Sequence, residues 1–257
     1  MAHYKDLFNL TGKVALITGG AGGLGQIMGL GLAEYGAQPV IFADYNLEGA
    51  KRAAAAVVAS GYQADAVFVD VTSKPSVDSM VDKVSRQYGR IDILINSAGV
   101  NNRKPAIEYT EDEYDHILDI NLKGTFLCCQ AVGKIMLAQQ KGKIINMGSV
   151  SSVLGHPHHG PYAASKGGVA LLTRVLAVEW AKNGINVNAI CPAYIRTPLT
   201  EGYLSTGNHY EQIVKTIPMG RLGMPSDLVG AAVYLASPAS DFVTGTLLLV
   251  DGGRTAD

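Results

Sequence analysis

The feature that most constrains this chain is an alternation. Short β-branched apolar runs at Val14–Thr18, Pro39–Ala43, Ala66–Asp70, Ile93–Ile95, Lys143–Met147, Asn186–Ile190 and Thr246–Val250 are separated by longer helical patterns. The helical patterns cover Leu24–Tyr35, Leu47–Ser60, Pro75–Tyr88, Glu111–Gln139, Pro161–Asn183 and Pro225–Ala236. The runs are continuously apolar, as parallel strands covered on both faces require. Repeated βα units with right-handed crossovers predict an α/β fold, a Rossmann-type doubly wound parallel sheet of about seven strands flanked by helices. The 257 residues, 47% of them hydrophobic, contain no linker, charge run or internal repeat, so residues 1–257 read as a single domain. Only 192–223 breaks the rhythm, with prolines at 192, 198 and 218. An irregular stretch of that length in such a domain predicts a substrate lid.

The first strand runs straight into Thr18-Gly19-Gly20-Ala21-Gly22-Gly23-Leu24-Gly25. Glycines there permit a sharp turn and a close approach by a pyrophosphate, and the helix that follows offers free amides and its positive dipole end. Gly19, Gly23, Leu24 and Gly25 are therefore dinucleotide-binding candidates. The second strand leads to Asp44, nineteen residues after Gly25. A carboxylate there accepts from an adenosine ribose and repels a 2′-phosphate. With Tyr45 and Asn46 next and no basic residue in the glycine loop, NAD is expected over NADP. The other use of Asp44 is as a cap for the helix from Leu47. Asp70 and Val71 close the third strand and are candidates for adenine contact. Asn96, Ala98 and Gly99 close the fourth, where small residues let a cofactor lie along the backbone. All these strand ends fall on the carboxyl edge, where open α/β sheets bind ligands.

Tyr162 and Lys166 are four apart on one predicted helix face, and Ser149 lies thirteen residues before the tyrosine. A free phenol has a pKa near about 10; bringing it to about 7 takes roughly 4 kcal/mol of preferential stabilisation of the phenolate. A neighbouring ammonium, a cationic nicotinamide and a low dielectric are expected to supply it together. A serine from a strand end then holds a substrate oxygen beside the phenol.

In order along nearly the whole chain, Thr18–Gly25, Asp44, Asp70-Val71, Asn96–Gly99, Asn121, Ser149, Tyr162, Lys166, Pro192–Thr197 and Val250–Gly253 resemble the short-chain dehydrogenase/reductase family. The resemblance implies hydride exchange between a nicotinamide and an alcohol or ketone, with Tyr162 as acid/base. It makes Lys166 the residue that lowers the tyrosine pKa and holds the nicotinamide ribose, Ser149 the substrate-orienting group, and Asn121 the anchor of a proton-relaying water. It places Pro192, Ile195 and Thr197 at the nicotinamide. Ser97 and Ala193 depart from the family pattern, where asparagine and glycine are usual. The resemblance also implies a homotetramer, paired through the helices Glu111–Gln139 and Pro161–Asn183.

Several stretches, Asn102–Pro105 and Pro218–Pro225 among them, are similar to the sugar-acid and polyol dehydrogenases of that family. Arg103, just beyond Asn96–Gly99, is a candidate to pair with a substrate carboxylate, its alternative being a surface or subunit contact. Ser151 is a second substrate candidate. His156, His158 and His159 lie between Ser149 and Tyr162. Their spacing without a carboxylate or cysteine partner is poor for a metal, so no metal is expected. His156 is instead expected to line the pocket and donate to hydroxyls, with a solvated loop as the alternative. Two rival functions remain: a 3-oxoacyl thioester reductase, disfavoured by Asp44, and a non-enzymatic dinucleotide-binding protein, disfavoured by the intact Tyr162 and Lys166.

A net charge of -1 with no basic patch argues against nucleic acid. Three unpatterned cysteines and a first nine residues without a signal-peptide core suggest a cytoplasmic setting. No apolar segment is long enough to span a membrane.

Overall fold

A computed structural model describes residues 4–256. Seven strands form one parallel sheet: β1 (Ala15–Thr18), β2 (Val40–Asp44), β3 (Ala64–Phe68), β4 (Ile93–Asn96), β5 (Gly142–Met147), β6 (Ile185–Pro192) and β7 (Leu247–Val250). Their order is β3-β2-β1-β4-β5-β6-β7, so the chain reverses its direction of growth between β1 and β4. There Thr18 is paired with Asn96, and a crevice opens beyond the carboxyl ends of the two strands.

Alternate residues along each strand feed two separate cores. Ile17, Phe42, Ile95 and Ile145 pack under α1 (Gly23–Glu34), α2 (Leu47–Ala59) and α9 (Val229–Ala236). Leu16, Ile41, Leu94 and Ile144 pack under α3 (Lys74–Tyr88), α5 (Gly124–Gln139) and α6 (Gly160–Trp180). Double coverage explains the unbroken apolar runs: every residue of β1, β4 and β5 is buried. The edge strand β3 is less covered and sits two residues earlier than the sequence suggests, stopping at Phe68 and leaving Asp70 in the turn beyond.

Two further expectations need correction. Glu111–Gln139 is not one regular helix. It comprises α4 (Glu111–Leu118), a π-helical segment (Asp119–Lys123) and α5. The irregular 192–223 stretch contains two short helices, α7 (Pro198–Leu204) and α8 (His209–Val214), around a small apolar cluster of Leu204, Ile213, Ile217 and Leu222. Four apolar side chains with a mutual contact give this segment a core of its own, which helical periodicity over such short spans does not reveal. No helix among the described residues is long and apolar enough to cross a membrane.

Candidate active site

The glycine loop forms the floor of the crevice. Gly19 has a φ of +68°, and a Cβ on Gly25 would collide with the Gly19 carbonyl oxygen, so the turn closes only with glycine at both places. No side chain caps α1 at Gly22, which leaves the first amides of that helix, Gly23 and Leu24 among them, free to receive an anion. Asp44 does not cap α2; Asn46 does, accepting from Gly49 N at 3.0 Å. One Asp44 oxygen accepts from Ala21 N (2.9 Å) and the other from Asn46 N (2.8 Å), so the carboxylate is locked against the glycine loop beside the crevice. The arrangement fits a dinucleotide: a bare backbone cradle, an uncapped helix end and a fixed carboxylate.

The other strand-end candidates divide. Ala98 lies on the Gly19 backbone, and Gly99 opens into the cleft beside Asn121 and Lys166. The Asn96 side chain does not reach the cleft. It is buried, donating to Asn146 Oδ1 (2.9 Å) and Cys129 Sγ (3.2 Å), and Asn146 continues the chain to Thr173 (3.0 Å). Strand pleating sends it to the inner face, so only its backbone borders the crevice. Asp70 spends one oxygen on Thr72 N and Oγ1, as a turn group does. Val71 is buried against Gly124.

An inner cleft is lined by Leu24, Gly99, Ser149, Tyr162, Lys166, Pro192, Ile195 and Thr197, so residues from five separate stretches of sequence meet there. Ser149 follows β5 and starts a single 3₁₀ turn in which its Oγ accepts from Ser151 N at 3.1 Å. Ser152, the neighbouring hydroxyl, is committed elsewhere: it donates to the Lys166 carbonyl (2.9 Å). Lys166 is buried and donates to the Met147 carbonyl at 2.7 Å, with its ammonium 5.7 Å from the Tyr162 ring centre. Burial pushes the Lys166 pKa down to about 8. Burial also raises the Tyr162 pKa, opposed by a hydrogen bond from Ser149 and the positive charge of Arg103. Lys166 is not among the groups that shift the phenol in the protein alone. Desolvation dominates, and the opposing groups are Ser149 and Arg103.

Asn121 lies in the π-helical segment, fully buried. It clamps Val100 at both ends, accepting from its N (2.8 Å) and donating to its O (2.9 Å), and donates also to Ser165 Oγ (3.1 Å). The widened turn is what turns this side chain toward the strand-end loop; such segments recur at functional sites.

Tyr162 and Ser149 also border an outer pocket with Asn101, Arg103, Ser151, His156, His159 and Tyr194. Arg103 is no loose surface group. Its Nε donates to His159 Nε2 (2.7 Å), and its guanidinium lies 4.2 Å over the Tyr203 ring of α7. Tyr203 in turn stacks on His209 of α8 at 4.2 Å. Of the histidines, His159 is the most buried, and desolvation with the Arg103 charge holds its pKa down to about 4. His156 also lines the pocket, 3.3 Å from Ser151 Oγ, and its pKa is lowered by burial and by Arg254. His158 is exposed and uses its carbonyl to accept from Lys104 N. Sequence reasoning passed over Asn101, Tyr194 and Arg254. Nothing in their local pattern marks them, since only the fold brings 101, 194 and 254 together. Among the described residues no group of three or more histidine, cysteine, aspartate or glutamate side chains is arranged to hold a metal.

The family model described as enoyl-(acyl carrier protein) reductase matches residues 19–255. The chain is 43% identical over 249 residues to 5-keto-D-gluconate 5-reductase of Escherichia coli (strain K12), covering 97% of this chain and 98% of that one. It is 40% identical over 255 residues to gluconate 5-dehydrogenase of Gluconobacter oxydans (strain 621H), covering 99% of each. A solved structure of gluconate 5-dehydrogenase from Burkholderia cenocepacia J2315, in complex with NADP and tartrate, superposes with a TM-score of 0.96 at 40% identity, over 99% of this chain and 100% of that one.

Proposed function

Because the chain belongs to the short-chain dehydrogenase/reductase family, we propose that it interconverts a secondary alcohol of a sugar acid and the corresponding ketone, with NAD as the preferred dinucleotide. One observation carries the reading. Ser149 and Tyr162 stand on the boundary between two cavities, the inner cleft that meets the glycine loop at Leu24 and the outer pocket walled by Asn101, Arg103 and two histidines. A substrate in the outer pocket presents its reacting carbon toward the inner cleft at that boundary. The polar, cationic wall suits hydroxyls and a carboxylate better than an acyl thioester.

The dinucleotide, when bound, supplies the hydride acceptor or donor. Gly19, Gly23, Leu24 and Gly25 would hold its phosphates, Asp44 its adenosine ribose, and Lys166 its nicotinamide ribose. Pro192, Ile195 and Thr197 would border the nicotinamide. Ser149 holds the substrate oxygen. Tyr162 takes the hydroxyl proton during oxidation and returns it during reduction. Asn121 sets the level of Val100 and Ser165 around Lys166. The helices α7 and α8 act as the lid, with Tyr203 closing over Arg103. Leu171, Val175 and Val178 form an exposed apolar stripe on α6, which supports the homotetramer.

Tyr162→Phe tests the reading directly. Loss of the phenol should lower kcat for aldonate oxidation by about 10²–10⁴-fold, while dinucleotide binding, read by fluorescence titration, stays within a few-fold. Retention of substantial turnover would place the proton transfer on another group.

A further inference from the structure

Buried polar atoms in folded proteins almost always find partners. Four that find none among the described residues are Asn101 Oδ1, His156 Nε2, His159 Nδ1 and Arg254 Nε. Asn101 lines the outer pocket, Arg254 lines the adjoining vestibule of ≈ 670 Å³, and His156 and His159 line both. Unpaired groups gathered on two pockets that share His156 and His159 point to a ligand that completes them.

The proton count identifies the ligand's charge. Arg103 Nε can only donate, so His159 Nε2, 2.7 Å away, must accept and carries no proton. A neutral imidazole then bears its proton on Nδ1, and the positive charge of Arg103 together with burial keeps this ring neutral. The unpaired His159 Nδ1 is thus a donor, fixed in that state by Arg103. Arg254 Nε is a donor without exception. Asn101 Oδ1 is an acceptor, suited to a hydroxyl. Two buried donors on a cavity that Arg103 and Arg254 both line describe a carboxylate site, with a hydroxyl-bearing carbon chain leading from it toward Ser149.

Arg254 is delivered to this site by built structure. Asp251 Oδ1 accepts from Gly253 N (3.0 Å), and its Oδ2 accepts from Thr255 N (2.9 Å) and Thr255 Oγ1 (2.7 Å). Gly252 and Gly253 take the left-handed conformations this tight loop needs, at φ +61° and +89°. The loop is tied to the lid segment by Met219 N donating to the Gly252 carbonyl (3.1 Å).

We propose that Arg254 and His159 hold the carboxylate of the sugar-acid substrate, and that Arg103 is a positioning residue that fixes the donor tautomer of His159. The proposal rests on the sugar-acid reading given above and names the groups that select the acid over its neutral counterpart. The test compares D-gluconate with D-glucitol, which keeps the hydroxyls and lacks the carboxylate, using the full chain with its dinucleotide. The native protein should prefer gluconate. Arg254→Ala should raise KM for gluconate about 10- to 100-fold, the scale of a charge-assisted hydrogen bond, acting through KM more than kcat, with a much smaller change for D-glucitol, so that the preference for gluconate collapses. Arg254→Lys should recover part of the gluconate KM, and His159→Phe should lose it as Arg254→Ala does. If the alanine variant does not fold, Arg254→Gln, uncharged and still able to donate, is measured in its place against the same expectation. A native protein that uses both compounds equally, prefers D-glucitol or turns over neither removes the sugar-acid reading and this site with it. A native preference for gluconate that survives intact in the Arg254 variants overturns this inference alone.

Discussion

At the scale of single residues, the site is decided by which groups are spent and which are left free. Asp44 is locked by two backbone amides, so its charge cannot swing away from a 2′-phosphate. Asp44→Ala should reduce the preference of kcat/KM for NAD over NADP by about tenfold or more, one such charge contact being worth roughly 1–3 kcal/mol. A native protein that already favours NADP, the dinucleotide in the Burkholderia cenocepacia structure, would remove the assignment. His159 makes a pH prediction. Its folded pKa is held down to about 4, below the ordinary value near about 6.5. Below pH 6.5 the unfolded chain takes a proton that the folded chain refuses, so this contribution to stability is complete above pH 6.5 and is lost as pH falls toward 4. The native Tm should fall more steeply over that window than the Tm of His159→Gln; parallel curves would show that the ring is not held neutral. The sequence made Tyr162, Lys166 and Ser149 legible because their spacing is fixed by one helix and one strand end. It left Arg254 and the His159 tautomer illegible, because both depend on neighbours more than 50 residues away in the chain. It gave no sign of where the Asn96 side chain faces, which strand pleating sets.

At the scale of elements, strand positions were readable because double burial leaves a continuous apolar signature, and the shortfall at β3 follows from its edge position. The π-helical segment at Asp119–Lys123 leaves no such signature. One widened turn shifts the register of a helix without altering the apolar pattern on either side. Its effect is mechanical: it aims Asn121 at Val100 and Ser165, and so joins the loop after β4 to α6, which carries Tyr162 and Lys166. Asn121→Leu should strand the amide and carbonyl of Val100 at a cost of about 2 kcal/mol, lowering Tm by roughly 4–8 °C, and should reduce kcat through displacement of Lys166. A variant with native Tm would show that the clamp contributes nothing to stability.

At the scale of the whole molecule, one surface stands out. Leu171, Val175 and Val178 are 62%, 46% and 81% exposed along one face of α6, and Tyr114 of α4 and Phe126 of α5 are exposed as well. Spacings of four and three residues make the α6 residues a stripe. On the tetramer proposed above, the native protein should have four times the chain's mass by light scattering and a double substitution, Val175→Glu with Val178→Glu, should give a smaller species; an unchanged mass would exclude this face from assembly. The strand order has a consequence for how activity is acquired. Glycine loop, Ser149, Tyr162 and Arg254 come from segments spread from the first strand to the last, and they meet only when β1 and β4 have paired and β7 has joined the far edge. The preference for gluconate over D-glucitol should therefore return on refolding only once β7 has docked, which makes that ratio a reporter of the far edge of the sheet.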